Sequence, residues 1–122
     1  MNKTILLVDD EEYLRETLRF GLEYEDYKVV EAGTGNEALK VCQTQSIDLI
    51  LTDMRMPDGD GHELIKLMKA QAEPVRSIPI IVMTGYTEIA RDELIKAGAS
   101  EVVMKPFALA GLIQVISKIL IS

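Results

Sequence analysis

Short runs of apolar residues alternate along the whole chain with segments whose apolar residues recur at helical spacing. This alternation constrains the fold most, because the two patterns belong to different kinds of element. The apolar runs predict five strands, at residues 4–8, 27–31, 48–52, 78–83 and 101–104. The other segments predict five helices, at residues 11–25, 36–44, 62–71, 87–97 and 108–120. We therefore expect one domain, residues 1–122, because this length suits a single domain.

The predicted strands are continuous apolar runs, which is typical of strands buried on both faces of a parallel sheet. Regular strand–helix alternation implies right-handed crossovers, with helices on each side of the sheet. The sequence thus predicts a doubly wound α/β fold with a five-stranded parallel sheet and five helices. We assign the apolar repeat of the first helix to Leu14, Leu18, Phe20 and Leu22.

The composition excludes several classes of protein. With 13 basic and 20 acidic residues, the formal net charge is −7, which argues against direct binding to nucleic acid or to an anionic membrane. The single cysteine, Cys42, rules out an internal disulfide framework and fits a reducing compartment. No segment reads as a signal peptide, and the apolar runs are too short to span a bilayer. We expect a soluble, cytoplasmic protein.

Polar residues follow four of the five predicted strands. Asp9 and Asp10 end the first, Asp53 ends the third, Thr84 ends the fourth and Lys105 ends the fifth. Ligands of open α/β sheets bind at the carboxyl ends of the strands, where the strand order reverses. We therefore expect three carboxylates, a hydroxyl and an ammonium group to converge on one edge of the sheet.

The chemistry of such a cluster follows from its charges. Three close carboxylates cannot all stay ionised without compensation, and Mg²⁺ is a cation that prefers a few carboxylates with water and phosphate oxygens. One carboxylate could then attack a phosphoryl group and form an aspartyl phosphate. Lys105 would offset the charge on the phosphoryl oxygens, and Thr84 could donate a hydrogen bond to one of them. We read His62 as a surface residue without a part in this chemistry.

Each of these residues also has an ordinary structural explanation. An Asp-Asp pair after a strand can simply cap a helix and favour its first turn. Asp53 alone would read as a loop residue, Thr84 beside Gly85 as part of a turn, and Lys105 as an exposed lysine. The case for a functional site depends on all of them standing at the ends of the predicted strands.

Several segments carry a resemblance to a known family. They are ILLVDDE (5–11), DLILTDMRMPDGDG (48–61), IPIIVMTGY (78–86), AGA (97–99) and KPF (105–107). In this order and at these spacings, the chain resembles the receiver domains of bacterial response regulators over essentially its whole length. The resemblance implies a flavodoxin-like fold with strand order 2-1-3-4-5.

The resemblance also implies roles for the acidic residues. Asp53 corresponds to the acceptor of a phosphoryl group from a sensor histidine kinase or phosphotransfer protein. Asp9 and Asp10 correspond to the acidic pair that helps to hold Mg²⁺, with Asp10 as the direct ligand of the two. Asp53 itself and the backbone carbonyl of Arg55 would complete the protein ligands of the metal.

Further roles concern the other strand ends. Thr84 corresponds to the hydroxyl residue that moves toward the phosphoryl group, and Lys105 to the lysine that pairs with it before a cis peptide bond to Pro106. Small donors such as acetyl phosphate can also serve the family. The resemblance implies a domain that assists its own phosphorylation and dephosphorylation and is not otherwise an enzyme.

One position departs from the family pattern. Many receivers carry Tyr or Phe three residues before the lysine as a rotamer switch, and this chain has Val102 there. The signal would then travel by backbone shifts or with the help of Tyr86. Arg55 and Tyr86 stand at variable places beside the acceptor, and our hypothesis is that they set the lifetime of the phosphoryl group.

Three functions remain open at this stage. The first is a regulated phosphorylation switch that changes a downstream effector domain or partner protein. The second is a phosphate-independent interaction module, against which the intact set of Asp10, Asp53, Thr84 and Lys105 argues. The third is an independent phosphatase or flavin-binding protein, which would need a glycine-rich phosphate loop or a further general acid. The cognate kinase, the type of output, a phosphorylation-dependent dimer and the extent of the full protein cannot be read from the sequence.

Overall fold

The computed structural model describes residues 2–55, 60–85 and 88–121, except for the side chains of residues 88–90. The strands are β1 (Thr4–Val8), β2 (Lys28–Ala32), β3 (Leu49–Asp53), β4 (Ile80–Thr84) and β5 (Glu101–Met104). The helices are α1 (Glu12–Tyr24), α2 (Gly35–Thr44), α3 (Gly61–Lys69), α4 (Glu88–Ala97) and α5 (Leu109–Ile121). Within the described ranges, no helix is long and apolar enough to cross a membrane.

The five strands form one parallel sheet in the order β2-β1-β3-β4-β5. The chain first runs outward from β1 to β2, and then returns past β1 to β3. The strand order therefore reverses between β1 and β3, and the carboxyl ends of these two strands border a crevice there. The predicted doubly wound fold and the predicted strand order are confirmed.

Two layers of helices cover the sheet, and each closes an apolar cluster. On one face, α1 and α5 pack on the sheet, and the buried residues of this cluster are Ile5, Leu7, Leu18, Leu22, Leu49, Leu51, Ile81, Met83, Leu112 and Ile116. On the other face lie α2, α3 and α4, with a buried cluster that includes Leu6, Val8, Ala38, Cys42, Ile50, Leu64, Ile65, Met68, Ile80, Val82, Leu94 and Val102. All residues of β3 and β4 are buried. Burial of each large apolar side chain contributes about 1.5–3 kcal/mol to the stability of the fold. The loops that follow the strands therefore start from a well-packed sheet.

The element boundaries differ slightly from the predicted ones. The strand β4 begins at Ile80 and not at residue 78, because Pro79 has no N–H group to donate to a neighbouring strand. The helix α3 ends at Lys69, two residues early, and an unpredicted 3₁₀ turn at Val75–Ser77 follows. The predicted loop at residues 54–61 lies partly outside the described residues, and Gly61 already belongs to α3.

The assignment of Phe20 to the apolar repeat of α1 was wrong, since its side chain is 59% exposed. Leu14, Leu18 and Leu22 follow one another at intervals of four and share the face toward the sheet. A residue two positions from Leu18 points to the opposite side of a helix with 3.6 residues per turn. The ring of Phe20 instead lies 5.4 Å from the Arg19 guanidinium carbon.

Candidate functional site

The carboxyl ends of four strands bring the predicted site residues to one edge of the sheet. Asp9 and Asp10 follow β1, Asp53 is the last residue of β3, Thr84 is the last of β4, and Lys105 follows β5. One carboxylate oxygen from each of the three aspartates lies within 4.8 Å of the other two. The convergence that strand order predicted is therefore present in the structure.

Asp9 is fully buried, and its two carboxylate oxygens differ in their hydrogen bonding. Its Oδ1 accepts a hydrogen bond from the N–H of Glu11 at 2.9 Å, whereas its Oδ2 has no hydrogen-bond partner among the described residues. Burial raises the pKa of Asp9 from 3.8 to about 6, and the hydrogen bond from Glu11 opposes this rise. The negative charge of Asp53 raises the pKa further. An oxygen of this kind is costly unless a cation or a proton compensates it.

The residues at this edge fit a hard divalent cation. Mg²⁺ prefers oxygen ligands from one or two carboxylates and keeps several waters. The buried carboxylate of Asp9, the exposed carboxylate of Asp10 and the carboxylate of Asp53 each supply one oxygen within 4.8 Å of the others, and one oxygen of Asp9 has no hydrogen-bond partner among the described residues. Arg55, whose backbone carbonyl is the remaining predicted ligand, is an exposed residue beside Asp53 in the same cavity.

Asp53 is paired with Lys105. The Lys105 Nζ donates to Oδ1 of Asp53 at 2.6 Å, and Asp53 is only 9% exposed. The N–H of Lys105 donates to the carbonyl of Thr84 at 2.7 Å, which ties the end of β5 to the end of β4. The Lys105–Pro106 peptide bond is cis, as the resemblance implied. The ammonium group, which follows β5, is thus held beside the proposed acceptor in β3 across the intervening strand β4.

A small cavity opens beside this pair. Its volume is about 150 Å³, and it is lined by Asp53, Met54, Arg55, Thr84, Gly85 and Lys105. A phosphoryl group could therefore reach Asp53, Thr84 and Lys105 together.

The other predicted positions are less central. Val102 is 6% exposed and pairs with Val82 in the sheet, so a buried valine occupies the place of the usual aromatic residue. His62 is partly exposed near the start of α3 and lines neither the cavity nor the acidic cluster. Tyr86, which we considered as a modulator of signal lifetime, lies outside the described residues.

Sequence reasoning missed two residues that shape this edge. Gly61 donates its N–H to the carbonyl of Met54 at 2.8 Å, and a Cβ there would lie 3.1 Å from the carbonyl oxygen of Asp53. The glycine was visible in the motif but was read only as a loop residue. Arg15 donates from Nη1 to the carbonyl oxygen of Asp9 at 2.5 Å. No sequence motif predicts this contact, because it depends on how α1 packs on the sheet.

Comparison with known proteins identifies the class. The sequence model described as the response regulator receiver domain matches residues 5–117. The chain belongs to the response regulator receiver domain family. It is 38% identical over 109 residues to the alkaline phosphatase synthesis transcriptional regulatory protein PhoP of Bacillus subtilis, which covers 88% of this chain and 44% of that protein. It is 37% identical over 108 residues to sporulation initiation phosphotransferase F of the same organism, which covers 88% of this chain and 85% of that protein.

A solved structure gives the same picture. The receiver domain of a sensor histidine kinase from Pseudomonas aeruginosa superposes with a TM-score of 0.89 at 29% identity, over 100% of both chains. That structure has a magnesium ion coordinated in its active site cleft. The present chain spans less than half the length of several curated relatives, among them PhoP at 44%. The family assignment therefore concerns a receiver domain, a signalling unit of two-component systems.

Proposed function

We propose that residues 1–122 form one receiver domain that acts as a phosphorylation switch, with Asp53 as the phosphoryl acceptor in a magnesium-dependent reaction. The observation that carries this proposal is the pairing of Asp53 with Lys105 beside the orphaned oxygen of Asp9. The proposed nucleophile Asp53 and its ammonium partner Lys105 line one small cavity, and Asp53 also belongs to the acidic cluster that would hold the metal.

The transfer itself needs no oxidant or further reactant. A carboxylate oxygen of Asp53 attacks the phosphorus of the donor, and an oxygen–phosphorus bond forms. The bond from phosphorus to the donor breaks at the same time, and its electron pair leaves with the histidine nitrogen or the acetate oxygen. The ammonium group of Lys105 can then donate a hydrogen bond to one charged phosphoryl oxygen. The hydroxyl of Thr84, which lines the same cavity, can donate to another.

The acidic residues would hold the metal. Asp10 and Asp53 would bind Mg²⁺ through their carboxylates, Arg55 would add its backbone carbonyl, and Asp9 would lie beside the ion. The bound ion would neutralise charge on the phosphoryl oxygens. Binding would also relieve the cost of the buried Asp9 oxygen, because its charge would then be compensated.

The family implies kinase and effector partners in general, and the present chain fits that role. We propose that a sensor histidine kinase or phosphotransfer protein supplies the phosphoryl group in the cytoplasm, and that phosphorylation changes a surface for an effector or a second copy. Val102 cannot act as an aromatic rotamer switch. The signal would instead pass by backbone shifts, through the hydrogen bond from the N–H of Lys105 to the carbonyl of Thr84. Arg55 and Tyr86 would set the lifetime of the phosphoryl group. Equal dephosphorylation rates in Arg55→Ala, Tyr86→Ala and the native chain would contradict this role of the two residues.

Intact-mass spectrometry after incubation with acetyl phosphate tests the acceptor. We expect the mass of one added phosphoryl group with Mg²⁺, and no addition with EDTA or in Asp53→Asn. The matched control is Asp26→Asn, an exposed aspartate at the opposite end of the sheet whose φ of 68° asparagine tolerates. It should be phosphorylated normally.

Two results would contradict the proposal. An adduct that persists in Asp53→Asn would mean that another residue is the acceptor. A folded native chain that gains no phosphoryl group would favour the second candidate, a phosphate-independent interaction module on the same fold.

A further inference from the structure

Arg15 makes the contact with the acidic edge that none of the assigned roles explains. It is the fourth residue of α1, and its side chain reaches back over the first turn, as long side chains on helices do. One guanidinium nitrogen, Nη1, donates to the carbonyl oxygen of Asp9, and another, Nε, donates to Oε1 of Glu31 at 3.1 Å. The same guanidinium thus joins the segment after β1 to the edge strand β2.

Glu31 holds the guanidinium group of Arg15 in place. It lies in β2 directly opposite Leu7 of β1, so its backbone is held by the sheet. Its second oxygen, Oε2, accepts from Nη1 of Arg19 at 3.1 Å. A carboxylate held on both oxygens has little freedom to turn, and it in turn limits the guanidinium of Arg15, whose donors form a rigid plane.

The backbone around the guanidinium leaves room for it. A Cβ at Gly33, in the turn after β2, would lie 3.3 Å from Nη1 of Arg15, tighter than an ordinary contact. The N–H of Asp9 also donates to the carbonyl of Ala32 at 3.1 Å, so β1 and β2 stay together up to this point. The turn after β2 therefore packs against the group that holds the carbonyl of Asp9.

The carbonyl of Asp9 matters because of the peptide that it belongs to. That peptide is planar and connects Asp9 to Asp10, so a hydrogen bond on its oxygen fixes the orientation of the whole unit. Asp10 is exposed and Asp9 is anchored through the Glu11 N–H, so the two carboxylates depend on this short backbone segment for their relative position.

We propose that Arg15 is a positioning residue, which orients the Asp9–Asp10 acidic pair for the metal through the carbonyl of Asp9, with Glu31 as its anchor. This inference rests on the proposed function, since it concerns the same metal site. Partners that orient metal ligands from behind typically change metal affinity by about 10–100-fold when they are removed.

The chain provides a matched control in Arg19. It lies on the same helix, one turn later, and also binds Glu31, but among the described residues it makes no hydrogen bond to Asp9. Arg15→Gln and Arg19→Gln each remove one positive charge that contacts Glu31. If charge alone mattered, neither variant would bind Mg²⁺ more weakly than the native chain. Positioning predicts weaker binding, with the larger loss in Arg15→Gln.

The experiment is a calorimetric Mg²⁺ titration of the native chain, Arg15→Gln, Arg19→Gln and Arg15→Lys. We expect about tenfold weaker binding in Arg15→Gln and an intermediate loss in Arg15→Lys, because an ammonium keeps the charge without the planar fork. Arg19→Gln should cost less than either, because it frees only one oxygen of the anchor Glu31 and leaves the contact between Arg15 and Asp9 in place. Amide exchange of the Glu11 N–H, measured without metal, should be faster in Arg15→Gln than in Arg19→Gln.

The outcomes separate the two proposals. Native Mg²⁺ binding with equal or tighter binding in Arg15→Gln would overturn the positioning role and leave the phosphorylation switch intact. A folded native chain that binds no Mg²⁺ would overturn the metal site and the positioning role together. If Arg15→Gln does not fold, Arg15→Lys still decides, since unchanged affinity and unchanged Glu11 exchange there would contradict the inference.

Discussion

The two edges of the sheet differ in the size of their cavities and in the polar side chains that are buried beside them. At the amino edge, a groove of about 560 Å³ lies between the segments that lead into β3 and β4. The cavity at the carboxyl edge is about 150 Å³. Burial raises the pKa of Cys42 in the larger groove to about 11, so its thiol stays protonated and unreactive near neutral pH. At the smaller cavity, Asp9, Asp53 and Thr84 are all buried.

This difference supports the proposal that the chemistry takes place at the carboxyl edge. Apolar burial at the amino edge stabilises the fold, whereas buried carboxylates at the carboxyl edge cost stability and persist where they serve a function. Cavity size alone would point to the amino edge. The convergence of polar residues from separate strands favours the carboxyl edge instead.

The largest expected effect comes from removing the ammonium group at each edge in turn. Lys105→Met should slow phosphorylation by acetyl phosphate about 100-fold, because one fixed donor to the charged oxygens is lost. Lys28→Met, an exposed lysine at the start of β2, should leave the rate unchanged. Time-resolved intact-mass measurements give both rates. Equal rates in the two variants would remove Lys105 from the proposed chemistry.

The second prediction compares two aspartates by the sign of their effect on stability. Without metal at pH 8, Asp9→Asn should raise the free energy of unfolding by up to about 3 kcal/mol, because the ionised Asp9 is buried with an unpartnered oxygen. Asp48→Asn at the amino edge should lower it by about 1 kcal/mol. Its Oδ2 accepts from the N–H of Thr4 at 2.7 Å. Urea unfolding measures both changes.

The effect of Asp9 on stability should also depend on pH. Its pKa is raised from 3.8 to about 6, so the folded chain binds more protons than the unfolded chain between these values. The stability that protonated Asp9 contributes is complete below about pH 4 and is lost as the pH rises through about 6. The advantage of Asp9→Asn should therefore be constant above about pH 7 and shrink as the pH falls through about 6 toward about 4. An advantage that stays constant over this range would contradict the burial of the Asp9 charge.

The third prediction concerns two glycines. Gly61→Ala would place a Cβ 3.1 Å from the carbonyl oxygen of Asp53 and 3.3 Å from Cα of Met54, so we expect a loss of about 1–3 kcal/mol in stability. Gly111→Ala in α5 meets nothing within 4 Å and should stabilise the chain by about 0.5–1 kcal/mol. Thermal unfolding of both variants measures these changes in stability. An unchanged stability in Gly61→Ala would mean that the start of α3 does not pack tightly against the end of β3.

The fold could be predicted because the strands are buried on both sides. A run such as 49–51 is apolar throughout because helices cover both faces of the sheet, and polar residues meet just beyond the end of such a run. The position of Asp53 followed from this alone. Phe20 was assigned wrongly although the sequence could have placed it, because the spacing of Leu14, Leu18 and Leu22 puts a residue two positions from Leu18 on the opposite side of α1.

Contacts between distant residues were the part that the sequence did not reveal. Arg15 and Glu31 belong to different elements, and their pairing depends on the rotation of α1 against the edge of the sheet. The tight approach of Gly61 to Asp53 likewise depends on where α3 begins. Strand ends predict which side chains gather at a site, but the residues that hold those side chains in place appear only with the packing.

The most direct test of the account is an amide ¹H–¹⁵N spectrum of the chain, recorded during a Mg²⁺ titration and again after acetyl phosphate is added. The account predicts that Mg²⁺ moves the signals of Asp10, Asp53 and their neighbours, and that phosphorylation then moves those of Thr84 and Lys105. The signals of Cys42 and Gln71 in the larger groove should stay in place during the Mg²⁺ step. Largest shifts in that groove, or no shift at Asp53 in either step, would contradict the assignment of function to the carboxyl edge.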